Sequence, residues 1–208
     1  MKHIKNLVFD LGGVIMNLDV PKTILAFKEL GIDNIVNDTG HQYQHSFFYN
    51  FEIGEISEAQ FLKALKHLSN QSLHDEQIIH AWNKMILEMP QDRIAFLQSL
   101  HPNYNLFLLS NTNSIHQKKY LDAFKKEHQT SFNQLFKKAY YSHEIGIRKP
   151  DEAIFHYILK DSNLKAEETL FIDDSFSNLE GAQKSGIHTF HVQNYNTKDI
   201  VALLDAEA

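Results

Sequence analysis

Cysteine is absent from the 208 residues, which removes disulfides and thiolate zinc sites from consideration. No apolar stretch approaches the roughly 20 residues a membrane-spanning helix needs. The apolar run near the start, in MKHIKNLVFDLGG, is too short for a secretory leader. Positive charge is not in excess either: 20 Lys and Arg stand against 26 Asp and Glu, a formal charge of −6, whereas a general nucleic-acid binder is usually basic. Internal repeats, low-complexity tracts and flexible linkers are missing too. These absences exclude membrane and nucleic acid as expected partners and lead us to expect a cytoplasmic protein. The 13 histidines are scattered. His41 and His45 share helical spacing, but two such residues alone are a weak metal signal.

What is present is enough for one substantial domain, or a domain carrying a smaller insert: 43% of the residues are hydrophobic. Apolar runs of strand length recur at 4–10 (IKNLVFD), 105–111 (NLFLLSN), 138–142 (KAYYS), 169–173 (TLFID) and 188–192 (HTFHV). Helical patterns lie between them, at 151–161 with Pro150 suited to the first turn and at 178–186 with Gly186 as the stop. Strands alternating with helices predict an α/β fold, a Rossmann-like three-layer core around a parallel sheet. Residues 18–90 break this rhythm with apolar positions at helical spacing, and Ser57 to Gln60 (SEAQ) fits a capping box. We therefore expect a helical cap domain at 18–90, inserted after the first strand, and a core domain formed by 1–17 and 91–208.

Ligands of open parallel sheets bind beyond the carboxyl ends of the strands. The sequence places Asp10, then Ser110 and Asn111, then Asp173 and Asp174 at those ends. Each has an ordinary reading when taken singly: a turn acid, a strand-end turn, a helix cap. Adjacent acids repel unless a cation lies between them, and three converging carboxylates would suit a hard, oxygen-seeking ion such as Mg²⁺. Lys149 is restricted by the following proline to an extended backbone on the same edge. An aspartate, a hydroxyl donor, a lysine and an acidic pair, in that order, point to phosphoryl transfer.

The segments FDLGGVI, GEIS, LLSNTN, IGIRKP and FIDDSFSNLEGAQKSGI resemble the motifs of the haloacid dehalogenase superfamily across essentially the whole chain. The helical insert resembles the small cap of its first subfamily, and the wording of the motifs is similar to the bacterial α-D-glucose-1-phosphate phosphatase group. The resemblance implies a Mg²⁺-dependent phosphatase acting on a small-molecule phosphate ester, monomeric or homodimeric. It implies that Asp10 attacks phosphorus and that Mg²⁺ is held by Asp10, the Gly12 carbonyl and Asp174, with Asp173 acting nearby through water. Ser110 and Asn111 would hold the phosphoryl group, Lys149 would offset the charge, and Asn178 would orient the metal site.

Gly12 departs from most phosphatases of the superfamily, which carry a second aspartate there as general acid and base. Such help is typically worth about 10²–10⁴-fold. The glucose-1-phosphatase-like group shares the glycine, and Asp19, at the entry to the cap, is a candidate substitute. Two other readings stay open. A 2-haloacid dehalogenase lacks that aspartate too, but Asp173 and Asp174 argue against it. A non-catalytic module that binds phospholigands rests on Gly12 alone. Substrate choice is expected from 47–57, where Phe47, Phe48, Tyr49 and Phe51 either line a pocket or pack as helix core, and Asn50 adds an amide. Trp82 is expected to pack between cap helices.

Overall fold

A computed structural model of the chain describes residues 4–33, 35 and 43–193. Five strands form one parallel sheet: β1 (Asn6–Phe9), β2 (Asn105–Ser110), β3 (Lys138–Tyr141), β4 (Thr169–Asp173) and β5 (His188–His191), in the order β3-β2-β1-β4-β5. Each falls within the run expected from sequence, and β4 matches it residue for residue. The period-two geometry of a strand sends alternate side chains to opposite faces. Leu7, Phe9, Leu106, Leu108, Leu170 and Ile172 accordingly join one apolar cluster. Their neighbours Val8, Phe107, Leu109 and Phe171 join another. Both faces are covered, which is why the strands read as continuous apolar runs.

Four helices follow β1: α1 (Val20–Glu29), α2 (Ser46–Glu52), α3 (Glu58–Leu68) and α4 (Asp75–Trp82). They gather their own core around Phe27, Phe48, Phe61, Leu65, Ile78 and Trp82. The capping box starts α3: the Gln60 backbone N–H donates to Ser57 Oγ, and the Ser57 N–H donates back to Gln60 Oε1 at 2.8 Å. The two segments joining these helices to the sheet run side by side, with Leu18 bridged antiparallel to Ile86. Asp19 N–H donates to the Met85 carbonyl at 2.9 Å. Of the histidine pair, His41 lies outside the described residues, and His45 is the residue before α2.

The chain re-enters the α/β part through α5 (Gln91–Leu100) and continues with α6 (Ser114–His128), α7 (Ser142–Ile145), α8 (Glu152–Asp161) and α9 (Phe176–Lys184). Pro150 stands outside α8 rather than in its first turn. The Asp151 carboxylate accepts from Ala153 N at 2.9 Å and caps the helix, so the helix begins one residue later. No helix among the described residues is long and apolar enough to cross a membrane.

Candidate active site

Strand order reverses between β1 and β4, since β2 and β3 extend to one side and β5 to the other. A crevice opens at such a switch point, and the carboxyl ends of β1 and β4 deliver Asp10 and Asp173 to it. The register pairs Phe9 with Ile172 on one side and with Leu108 on the other. Asp10 is tied down by its own N–H, which donates to the Ile172 carbonyl at 2.9 Å.

Lys149 stands between the two acids. Its Nζ lies 2.7 Å from Asp10 Oδ1 and 2.7 Å from Asp173 Oδ2, with the lysine side chain 1% exposed and that of Asp173 0%. Burial alone would lower the lysine's pKa, but the two carboxylates override it and hold the ammonium charged. Asp10 is pushed up to about 7 by burial above all; Lys149 pulls the other way and Asp173 adds repulsion. Asp174, the most exposed of the three acids, is raised by partial burial and by Asp173. One lysine therefore faces three carboxylates.

Oxygen atoms of Asp10, Asp173 and Asp174 lie within 4.8 Å of one another. A hard-donor set with two charges left uncompensated fits a divalent, oxygen-seeking cation. The acids differ in what else holds them. Asp173 Oδ1 accepts from Ser175 N–H at 2.8 Å, and Asn178 Nδ2 donates to both Asp173 oxygens at 3.1 Å. Asn178 thus acts on Asp173, whose hydrogen-bonding capacity is already heavily used. Asp174 presses on the β1 turn: a Cβ on Gly13, whose φ is +79°, would fall 2.0 Å from Asp174 Oδ2. That contact, together with the positive φ, accounts for the glycine. Gly12 differs, since a Cβ there would meet only a side chain, Leu18 Cδ1 at 2.4 Å.

Ser110 and Asn111 come to the same edge, and with Gly12 they border a cavity of about 190 Å³ that also touches Glu52 and His116. The resemblance gives Asn111 to the phosphoryl group. Its side chain is engaged with Lys149, accepting from the Lys149 N–H and donating to the Lys149 carbonyl, both at 2.9 Å. This pairing imitates a strand ladder and fixes the backbone that carries the lysine. The pairing uses one of the two amide N–H groups. Asp19 caps α1, accepting from Lys22 N–H at 3.3 Å and pairing with Lys22 Nζ at 3.2 Å.

The aromatic run of 47–57 divides. Phe48 and Phe51 are buried in the core of the inserted helices, Phe47 packs against it, and Tyr49 is 50% exposed. Tyr49 borders a second cavity, of about 620 Å³, with Tyr43, Arg148 and Lys149. Trp82 packs inside the inserted helices, as its sequence context implies, and also stacks on His116 of α6 at 4.5 Å. Sequence reasoning missed Arg148, Glu52 and His116. Arg148 carried one available signal: it sits beside Lys149 in IGIRKP, so a lysine on the edge brings its neighbour there too.

A family model for hydrolases of the haloacid dehalogenase-like type matches residues 4–186. The chain is 32% identical over 191 residues to D-ribitol-5-phosphate phosphatase of Bacteroides thetaiotaomicron, covering 92% of this chain and 93% of that protein. Among solved structures, a wild-type enzyme of the family from Bacteroides thetaiotaomicron, crystallised with magnesium and inorganic phosphate, superposes with a TM-score of 0.84. It has 33% identity over 95% of this chain and 98% of that one. A family hydrolase from Porphyromonas gingivalis gives 0.87 at 33% identity, covering 97% and 98%.

Proposed function

The chain belongs to the haloacid dehalogenase-like hydrolase family, and from that premise we propose that it is a Mg²⁺-dependent phosphatase of a small, hydroxyl-rich phosphomonoester, a sugar phosphate such as a hexose 1-phosphate or a sugar-alcohol phosphate. The observation that carries the reading is the Asp10–Lys149–Asp173 bridge, with both contacts at 2.7 Å. It sets a buried carboxylate at the sheet edge against a fixed cation. The similarity to a ribitol-5-phosphate phosphatase supports a polyol ester.

Asp10 is the nucleophile. One carboxylate oxygen forms a bond to phosphorus as the bond from phosphorus to the leaving-group oxygen breaks, giving an aspartyl-phosphate. Water then attacks that phosphorus as the bond from phosphorus to the Asp10 oxygen breaks, which releases inorganic phosphate and restores the carboxylate; the proton given up by the water offsets the one that the departing alkoxide takes up. Splitting one hydrolysis into two displacements is the usual gain of covalent catalysis. Lys149 holds positive charge beside the attacking oxygen, and the Ser110 hydroxyl donates to the transferring group. Asn111 positions Lys149 and offers its remaining N–H to phosphate. Asp10, Asp174 and the Gly12 carbonyl would hold the metal ion, with Asp173 behind them. When bound, the cation supplies charge that offsets the phosphoryl oxygens. Residues 18–90 serve as the cap over the leaving group, which keeps water out during the first displacement.

The test is phosphate release from hexose 1-phosphates, ribitol 5-phosphate and nucleotides, with Mg²⁺ or EDTA, by wild type and Asp10→Asn. We expect release that needs both the metal and Asp10, with a fall of at least about 10³-fold in the variant. Release that survives in Asp10→Asn would overturn the nucleophile. Tight ester binding without turnover would leave a binding module, and chloride release from 2-chloropropionate would move the chain to the dehalogenases.

A further inference from the structure

Two cavities adjoin the active site, and one ion pair joins a residue that lines the first to a residue that lines the second. Glu52, the last residue of α2, borders the smaller cavity with Gly12 and Ser110. Arg148 borders the larger one with Lys149. Their side chains meet at 2.5 Å, with 14% of the glutamate and 29% of the arginine exposed. Tyr43 borders both spaces.

The pair is held from several sides. The Arg148 guanidinium lies over the Tyr49 ring, 5.5 Å from its centroid, and its Nε donates to the Lys149 carbonyl at 3.3 Å. Just beyond α2, Gly54 (φ +70°) approaches the backbone of α7 so closely that a Cβ there would sit 2.2 Å from the His143 carbonyl oxygen. The end of α2 therefore has little freedom to move while the inserted helices rest on the sheet domain. A buried ion pair is a weak source of stability, because desolvation offsets much of the attraction. Burial indeed raises the Glu52 carboxyl against the pull of Arg148.

We propose that Glu52 and Arg148 are specificity-determining residues that read hydroxyl groups of the leaving group and discriminate against esters bearing a carboxylate. This rests on the phosphatase reading. On that reading the leaving group of a phosphate held at Asp10 and Lys149 has these two cavities beside it, one bordered by Lys149 and Arg148 and the other by Gly12, Ser110 and Glu52. A hydroxyl both donates and accepts, so it satisfies the glutamate and the guanidinium together and adds no charge to a pair that is already neutral. A carboxylate attracts Arg148 but meets Glu52 alongside it. A leaving group with no hydroxyl leaves both members short of partners, the situation in which polar sites discriminate most strongly.

The experiment compares kcat/KM for ribitol 5-phosphate, 2-phosphoglycolate and p-nitrophenyl phosphate in wild type, Glu52→Gln and the double variant Glu52→Gln/Arg148→Gln. The double variant leaves no buried charge unpaired. In Glu52→Gln the preference for ribitol 5-phosphate over 2-phosphoglycolate should shrink by about 10-fold or more. In the double variant the ratio of ribitol 5-phosphate to p-nitrophenyl phosphate should fall by about 10- to 100-fold, mostly through KM. Equal losses on all three esters would make the pair a structural brace and overturn the proposal, as would ratios that do not move. A wild type that hydrolyses none of the three would overturn the phosphatase reading itself, and this proposal with it.

Discussion

Among the described residues, the sheet edge and the α6 seam both bury ionisable side chains, and they treat charge in opposite ways. At the sheet edge, Lys149 stays charged because Asp10 and Asp173 flank it. At the seam between the inserted helices and α6, His116 stays neutral and is held down to about 4 by burial, with the Trp82 carbonyl pulling weakly the other way. Its ring is satisfied as a neutral tautomer. Nε2–H donates to the Trp82 carbonyl at 3.0 Å, and Nδ1 accepts from Asn113 Nδ2 at 3.2 Å. Asn113 Oδ1 in turn accepts from the indole N–H of Trp82 at 3.3 Å. A second proton on His116 would point at another donor. Burial decides neither outcome alone; the presence of a counter-charge does.

The largest effect should come from removing the counter-charge. Lys149→Met leaves Asp10 and Asp173 buried without a cation. Breaking a buried pair in this way costs about 3–5 kcal/mol, and phosphate release should fall by at least about 10³-fold. Denaturant unfolding at pH 9 and pH 6 separates charge from packing, because Asp10, near 7 with the lysine in place, moves higher without it. The loss should be smaller at pH 6, where Asp10 is largely protonated in both proteins, and an equal loss at both would assign it to lost packing of the lysine stem.

The two regions should also respond to pH in opposite directions, measured in EDTA. The folded-state pKa of His116 lies below its unfolded value of 6.5. Its contribution is therefore present above pH 6.5 and is lost as pH falls through about 4. The gap amounts to roughly 3 kcal/mol, and His116→Gln should gain on wild type by that order as pH falls across this window. The folded-state pKa of Asp10 lies above its unfolded value of 3.8, near 7. Its contribution is present below pH 3.8 and is lost as pH rises through 7, so Asp10→Asn should gain on wild type as pH rises. Parallel slopes for the two variants would break the comparison. Mg²⁺ should flatten the Asp10 slope and leave that of His116 unchanged.

Much of the candidate site at the sheet edge was legible because main-chain geometry carries it. A short strand, four to six residues long and mostly apolar, that runs up to a polar residue puts that residue at the carboxyl edge, whichever helices follow, and Asp10, Ser110 and Asp173 all arrive that way. The His116 seam was not legible. One histidine on α6, a tryptophan on α4 and an asparagine cap are ordinary residue types, and only tertiary packing brings them together. The same holds for Glu52 and Arg148, which sit on separate elements, and for the lock of Asn111 on the Lys149 backbone. Gly12 and Gly13 read alike in sequence but differ in surroundings. Gly13 answers a positive φ and the approach of Asp174, whereas the neighbour that a Cβ at Gly12 would meet is the end of the Leu18 side chain.

That last difference yields the smallest expected effect. Asp at position 12 would restore the residue most phosphatases of the superfamily carry, but its Cβ would fall 2.4 Å from Leu18 Cδ1. The obstacle is the end of a flexible, partly buried side chain, so Leu18 can turn aside at a cost of about 1–3 kcal/mol. Trimming it in Leu18→Ala removes the collision beforehand. The pair Gly12→Asp and Leu18→Ala should therefore be less destabilising together than the sum of the two, by about 1 kcal/mol in a double-mutant cycle. Gly13→Ala, where backbone conformation and a carboxylate both object, should show no such rescue by Leu18→Ala. Strict additivity at position 12 would mean that Leu18 does not set the glycine there, and the absence of the second aspartate would then need a cause other than space.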